Sequence, residues 1–98
     1  MSSPAAALVA DHDRWAVRGA VTVDSVAAVL EQSRDLPLPA HGVIDMAAAD
    51  PVDSAAVALL LAWKRRADVE SKPLAFDNLP ATLSSLASLY GVESFIEA

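Results

Sequence analysis

Nine consecutive apolar residues, from Ala55 to Trp63, form the most demanding stretch of this chain. Asp53 and Ser54 precede the run, and three cations at positions 64–66 follow it. Asp and Ser side chains accept bonds from the free N–H groups at a helix start, and cations favour a helix end. The stretch therefore predicts one helix over about residues 54–69, with Asp53 and Ser54 at its cap.

The outward side of this helix raises a question, because the run has no polar stripe of the kind that a helix on one face of a sheet normally shows. A helix that is apolar all round must be covered all round, and a chain of 98 residues has little protein with which to do so. We therefore expect a partner-binding surface there, since contiguous exposed apolar patches usually mark interfaces. The alternative is that alanine, a strong helix former, simply occupies the exposed face.

The N-terminal third predicts a hairpin followed by a helix. Residues 14–21 alternate in the manner of a half-buried strand, with Trp15, Val17 and Gly19 on one face. The segment "AALVA" predicts a preceding strand, joined through a turn at Asp11, His12 and Asp13. Thr22 then predicts a helix cap. The helix is expected to run to about residue 34 and to bury a stripe of Val23, Val26, Ala27 and Leu30.

The rest of the chain alternates between strand and helix patterns. "GVIDM" at 42–46 predicts a buried central strand, and "AAADPVD" predicts the loop after it. "LAFDN" predicts another strand, and Pro80 predicts the first turn of a last helix, which ends at a cap on Gly91. This helix is expected to bury Leu83, Leu86, Ala87 and Tyr90, and the tail to pack back through Val92, Phe95 and Ile96. The order β, β, α, β, α, β, α predicts an α/β domain whose sheet is parallel except for the first hairpin.

Composition excludes several function classes. The net charge of −6 opposes nucleic acid as a partner, because phosphate binding needs clustered Lys and Arg. No apolar run approaches the roughly 18 residues of a membrane span, and the N-terminus lacks the cationic start of a signal peptide. We expect a cytoplasmic protein without a direct membrane span.

The motifs of common catalytic and cofactor sites are missing. Three glycines form no phosphate-binding loop, and His12 and His41 have no ligand spacing, so we predict neither a metal nor another cofactor. A triad can be drawn from Ser54, His41 and either Asp45 or Asp53, but no GxSxG motif supports it, and we predict that the protein is not an enzyme. The basic cluster at 64–66 is ordinarily a solvated helix end, with contact to an acidic partner or lipid headgroup as the alternative.

The chain contains a strand ending in "IDM", then a loop ending in "VDS", then a helix continuing "AAVALLLAW". Together these three segments resemble the STAS domain family, the fold of anti-sigma factor antagonists. Within that family, "WAVRGAVT", "VDSAAVALLLAW" and "LSSLASLYGV" are most similar to the STAS subunit of the Mla phospholipid ABC transporter, the toluene-tolerance group. The resemblance covers about residues 12–95. It implies a single STAS-like domain over residues 1–98, with a mixed, mostly parallel, four-stranded sheet and helices packed mainly on one face.

The resemblance also implies a function. It indicates a non-enzymatic accessory subunit that binds and supports the cytoplasmic ATPase of the transporter, which maintains outer-membrane lipid asymmetry. Such a subunit is peripheral to the inner membrane through the complex. Ser54 is carried over as the residue at the ATPase contact, and Asp53, Ala55, Ala56 and Val57 are predicted to bind the partner with it. The alternative is an anti-sigma factor antagonist with Ser54 as its phosphorylation site, and a third interpretation is a stand-alone enzyme or ligand carrier.

Overall fold

The computed structural model describes residues 7–11 and 13–96, so residues 1–6, His12 of the predicted turn, and residues 97–98 lie outside the described part. Its elements are β1 (Ala7–Ala10), β2 (Arg14–Val21), α1 (Val26–Arg34), β3 (Val43–Val52), α2 (Ser54–Val69), β4 (Ala75–Asp77), α3 (Ala81–Leu89) and α4 (Glu93–Ile96). The strands form one sheet in the order β1-β2-β3-β4, with β1 antiparallel to β2 and the other pairs parallel. The predicted α/β architecture is confirmed, as are the predicted bounds of β2 and α2.

The core lies on one face of the sheet, where the helices pack. Trp15 and Val17 of β2 are buried on that face, whereas Arg14 and Arg18, which alternate with them, are exposed. The rings of Trp15 and Trp63 meet edge to face, with centroids 5.6 Å apart. This contact joins the sheet to α2 at the centre of the domain, where aromatic pairs contribute about 0.5–1.5 kcal/mol beyond their buried area.

Helix α2 is covered by its own chain, because it contacts α1, α3 and α4 as well as lying over the sheet. Of its nine-residue apolar run, only Ala58 is exposed, and the half-buried members are Ala55, Leu61 and Ala62. The expectation of a large uncovered apolar side is therefore wrong. The reason is that neighbouring helices flank α2, so that alanine suffices on the remaining outward positions, as the alternative interpretation held.

Strand β3 is twice as long as predicted, since it continues through the segment that was expected to be a loop. Two bulges explain the difference. The partners of Ala16 and Arg18 on β3 are Asp45 and Ala48, and a second extra residue lies between the partners of Gly19 and Val21. Each bulge adds one residue to β3 and breaks the alternation, so that Ala47 and Ala48 are both exposed. The longer strand extends as far as the C-terminal end of β2, and α2 begins directly after it.

Helix α1 begins at Val26, three residues later than Thr22 predicts for its first turn. The intervening residues form a turn, in which the Thr22 carbonyl accepts from the N–H groups of Ser25 and Val26 at 3.0 and 2.9 Å. The later start changes the buried face, which carries Val29 and Ser33. Of the predicted stripe, Val23 and Ala27 are instead exposed.

The C-terminal elements agree with the prediction in part. Leu83 and Ala87 of α3 are buried, and Gly91 ends the helix with a positive φ of 70°. The N–H groups of Gly91 and Val92 bond back to the carbonyls of Ser88 and Ala87, which is the pattern of a Schellman cap. The predicted burial of Ile96 is confirmed, whereas the predictions that Tyr90 and Phe95 pack into the core are wrong, because both are exposed.

Candidate partner-binding site at the start of helix α2

The carboxylate of Asp53 fixes the first turn of α2. One of its oxygens, Oδ1, accepts from the Ala55 N–H at 2.8 Å and caps the helix. The other oxygen, Oδ2, accepts from the Val23 N–H at 3.1 Å, in the loop between β2 and α1. The Asp53 N–H also donates to the Val21 carbonyl at 3.3 Å. This single residue therefore holds the start of α2 against the end of β2, which makes its role that of positioning.

Ser54 is the first residue of α2 and is exposed. Within the described residues its hydroxyl has no hydrogen-bond partner, because the capping position is taken by Asp53. The expectation that both residues cap the helix is thus met by Asp53 alone. Ser54 presents a free hydroxyl on a helix start whose next two N–H groups are already bonded, that of Ala55 to the Asp53 carboxylate and that of Ala56 to the Asp53 carbonyl.

The other predicted contact residues differ in burial. Asp53 and Ala55 are half-buried, whereas Ala56 and Val57 are 0% and 4% exposed and belong to the core. Ala56 lies on the opposite side of α2 from Ser54, whereas Val57 is one turn along from Ser54 and is buried in the core by the surrounding chain. Direct contact with a partner is therefore open to Ser54, and to a lesser degree to Asp53 and Ala55.

The loop between β2 and α1 joins this surface, although the sequence predicts a helix from Val23 onward. Val23 is 73% exposed and is tied to Asp53 through its N–H. The loop is further held by the Ser25 hydroxyl, which donates to the Ala20 carbonyl at 2.6 Å and accepts from the Thr22 N–H at 3.0 Å. Ser25, a residue type that favours turns and helix starts, was the sequence signal for this arrangement.

The structure does not bring together the triad that could be drawn from the sequence, which consists of Ser54, His41 and either Asp45 or Asp53. His41 precedes β3 and Ser54 follows it, so the ten residues of the strand separate them by about 30 Å. Asp45 lies near the His41 end of β3, where its carboxylate accepts from the Ala47 N–H at 2.9 Å and from the Asn78 side chain at 3.1 Å. The hydrogen bond from the Ala47 N–H is the main cause that lowers the pKa of Asp45, and the hydrogen bond from Asn78 is the second. Asp45 is thus a structural carboxylate, and this triad is excluded by geometry.

The basic cluster has mostly structural contacts. The Lys64 ammonium donates to the Leu74 carbonyl at 2.5 Å, and the Arg66 guanidinium donates to the carbonyls of Ser33 and Leu36 at 2.9 and 2.5 Å. The hydrogen bond from Arg66 also lowers the pKa of Glu70. Of the three cations only Arg65 is exposed, which leaves little of the cluster for a partner.

Within residues 7–11 and 13–96, no three His, Asp or Glu side chains form a group able to hold a metal ion. No helix in that same part of the chain combines the length and apolarity needed to cross a bilayer.

Comparison with known proteins places this architecture in a family. The family model described as "Mlab, STAS domain" matches residues 5–97. The chain belongs to the STAS domain family. STAS domains are protein-interaction modules, which agrees with a site that offers an exposed hydroxyl on a rigid helix start. No curated protein is significantly similar to this STAS domain in sequence.

Proposed function

We propose that this STAS domain is a non-enzymatic accessory subunit of an Mla-type phospholipid ABC transporter, and that it binds and supports the ATPase subunit through the surface around Ser54. In this proposal the protein is cytoplasmic and peripheral to the inner membrane through the complex. The sequence likeness of "WAVRGAVT", "VDSAAVALLLAW" and "LSSLASLYGV" to that group of STAS subunits supports the choice of partner.

The observation that carries the proposal is the exposure of the Ser54 hydroxyl and its freedom from hydrogen bonds within the described part of the domain. Its hydroxyl is exposed and has no hydrogen bond within the described residues, whereas the capping and tethering bonds beside it are made by Asp53. A serine at this position contributes little to the fold of its own chain. It is therefore free to contact a partner at low cost, since the helix start that carries it is already ordered.

One observation favours the alternative, an anti-sigma factor antagonist. The same exposed hydroxyl is accessible to a kinase, and the helix N-terminus favours a phosphate there. The acidic side chains nearby oppose it, because Asp50, Asp53 and Asp24 would repel a group of charge about −1.5 to −2. We therefore rank docking on the ATPase above a phosphorylation switch.

Co-purification with the transporter's ATPase subunit tests the proposal. The wild-type chain is expected to retain the ATPase, and Ser54→Arg to lose it, because a long cation replaces a small hydroxyl at the centre of the contact. Ser88→Arg is the matched control, because Ser88 is an exposed serine in the last turn of α3, whereas Ser54 is in the first turn of α2. This change is expected to leave the recovery of the ATPase subunit unaltered. Equal recovery with wild type and Ser54→Arg would remove Ser54 from the interface.

Incubation with a cognate kinase and ATP tests the alternative. Gain of one phosphoryl group by intact mass, lost in Ser54→Ala, would favour the antagonist. An unchanged mass would count against it.

A further inference from the structure

We propose that Val23 is the apolar anchor of the interface around Ser54, and that Asp24 and Asp50 form its acidic rim. The surface that receives them on the partner is an apolar pocket bordered by Lys or Arg. This inference rests on the proposed function, because it describes the chemistry by which the same partner is bound.

The exposure of Val23 is the first observation. A valine that is 73% exposed leaves most of its apolar surface in water, and burial of such a side chain on binding is favourable. The other large exposed apolar side chains of the described residues lie elsewhere, on β1 or at the ends of α2, α3 and α4: Val9, Val69, Leu89, Tyr90 and Phe95. Val23 therefore supplies the apolar contact at the Ser54 edge.

The second observation is that Val23 and Ser54 are held as one rigid surface. The Val23 N–H and the Ala55 N–H bond to the two oxygens of the same Asp53 carboxylate, at 3.1 and 2.8 Å. The Ser25 hydroxyl closes the loop on its other side. Because both parts are ordered before binding, little conformational entropy is lost when a partner covers them.

Charge identifies the partner surface. Asp24 and Asp50 are both exposed, and none of the four ion pairs among the described residues involves either of them. Asp24 follows Val23 in the loop, and Asp50 lies on β3 between the partners of Gly19 and Val21, at the end of β2 from which that loop leaves. Unpaired carboxylates at this end of the sheet disfavour an anionic membrane, and they also disfavour a second copy of this acidic chain. They favour a protein surface with cations around an apolar pocket.

The affinity of the purified ATPase subunit for single variants tests this inference. Val23→Ser is expected to raise the Kd at least tenfold, from the lost burial of an apolar side chain. Val69→Ser, at an 85% exposed valine at the far end of α2, is the control and is expected to leave the Kd unchanged. We expect the Kd to rise about tenfold in Asp24→Lys and in Asp50→Lys. Asp68→Lys, at an exposed carboxylate near the far end of α2, is the charge control and is expected to leave the Kd unchanged. The wild-type Kd is expected to rise with salt.

The outcomes separate the two proposals. If Ser54→Arg abolishes binding while Val23→Ser leaves the Kd unchanged, the anchor is refuted and the proposed function stands. If Val23→Ser instead changes the oligomeric state of the chain alone, the occupant is a second copy and the inference is overturned. If the wild-type chain does not bind the ATPase subunit, both proposals are wrong. Thermal unfolding of each variant is expected to match wild type, because these side chains are exposed.

Discussion

Removal of the Asp53 carboxylate breaks the two hydrogen bonds that hold the candidate site together. Asp53→Ala deletes the acceptor of the Ala55 N–H and the acceptor of the Val23 N–H. Loss of an N-cap costs about 0.5–2 kcal/mol. The Val23 N–H can be solvated once it is released, so its bond adds about 0.5–1 kcal/mol. We expect the free energy of unfolding to fall by about 1–3 kcal/mol.

Asp53→Asn dissects this loss. Asparagine keeps one oxygen for the Ala55 N–H and caps as well as aspartate. Its NH₂ group faces the Val23 N–H, however, and two donors cannot bond. The helix start also loses a negative charge near its dipole, worth about 0.3–1 kcal/mol. We therefore expect Asn to cost about 1 kcal/mol, less than Ala.

Urea unfolding measures the two stabilities, and amide hydrogen exchange by NMR reports the individual bonds. In Asp53→Asn the Val23 amide is expected to lose protection while the Ala55 amide keeps it. Asp24→Ala, which removes an exposed carboxylate on the neighbouring loop, is the control and is expected to change stability by less than about 0.5 kcal/mol. The reasoning is refuted if Val23 stays protected in Asp53→Asn, or if Asp53→Ala unfolds at the wild-type urea concentration.

Three other changes test the fold around the site. Ser33→Ala removes the buried acceptor that the Trp63 Nε1–H uses at 2.9 Å, and is expected to cost about 1–3 kcal/mol in urea unfolding; a cost below about 0.5 kcal/mol would contradict the importance of this bond. Gly91→Ala places a Cβ in open space but at a φ of 70°, so a loss of about 1–2 kcal/mol is expected from backbone strain alone, and an unchanged thermal midpoint would show that the cap relaxes. Asn78→Gly keeps the positive φ of that position but removes a donor to Asp45, and is expected to raise the pKa of Asp45 toward its ordinary value of 3.8 in an NMR titration. Because the pKa of Asp45 is lowered in the folded state, its contribution to the free energy of unfolding is present above pH 3.8 and is lost as the pH falls through the folded pKa. Asn78→Gly should therefore lose less stability on acidification than wild type. An acid-unfolding transition identical to that of wild type would contradict this prediction.

The elements that could be predicted from the sequence are those whose signals are local. The bounds of α2 follow from its cap residues and apolar run, and those of β2 follow from strict alternation. The length of β3 could not be predicted, since two bulges put neighbouring alanines on the same side and remove the alternation that marks a strand. A bulge depends on the partner strand, which sequence alone does not specify.

The environment of each helix face was harder to predict than the helix itself. The outward side of α2 is flanked by helices distant in sequence, so its apolar composition does not indicate how much of it is exposed. The start of α1 was missed because Thr22 and Ser25 are both suitable turn and cap residues. That error hid Val23, which the structure places beside Ser54 through the Asp53 carboxylate. Ser54 itself could be selected from the sequence, because a hydroxyl residue after a capping acid is a local pattern.

The most direct measurement of the central claim is site-specific photo-crosslinking in cells, with a photoreactive amino acid in place of Ser54 and, as a control, in place of Ser88. Mass spectrometry of the purified adducts identifies what each position touches. We expect an adduct between position 54 and the ATPase subunit of the transporter, and none at position 88. An adduct between position 54 and an anti-sigma kinase, or an ATPase adduct at position 88 but not at 54, would contradict this expectation.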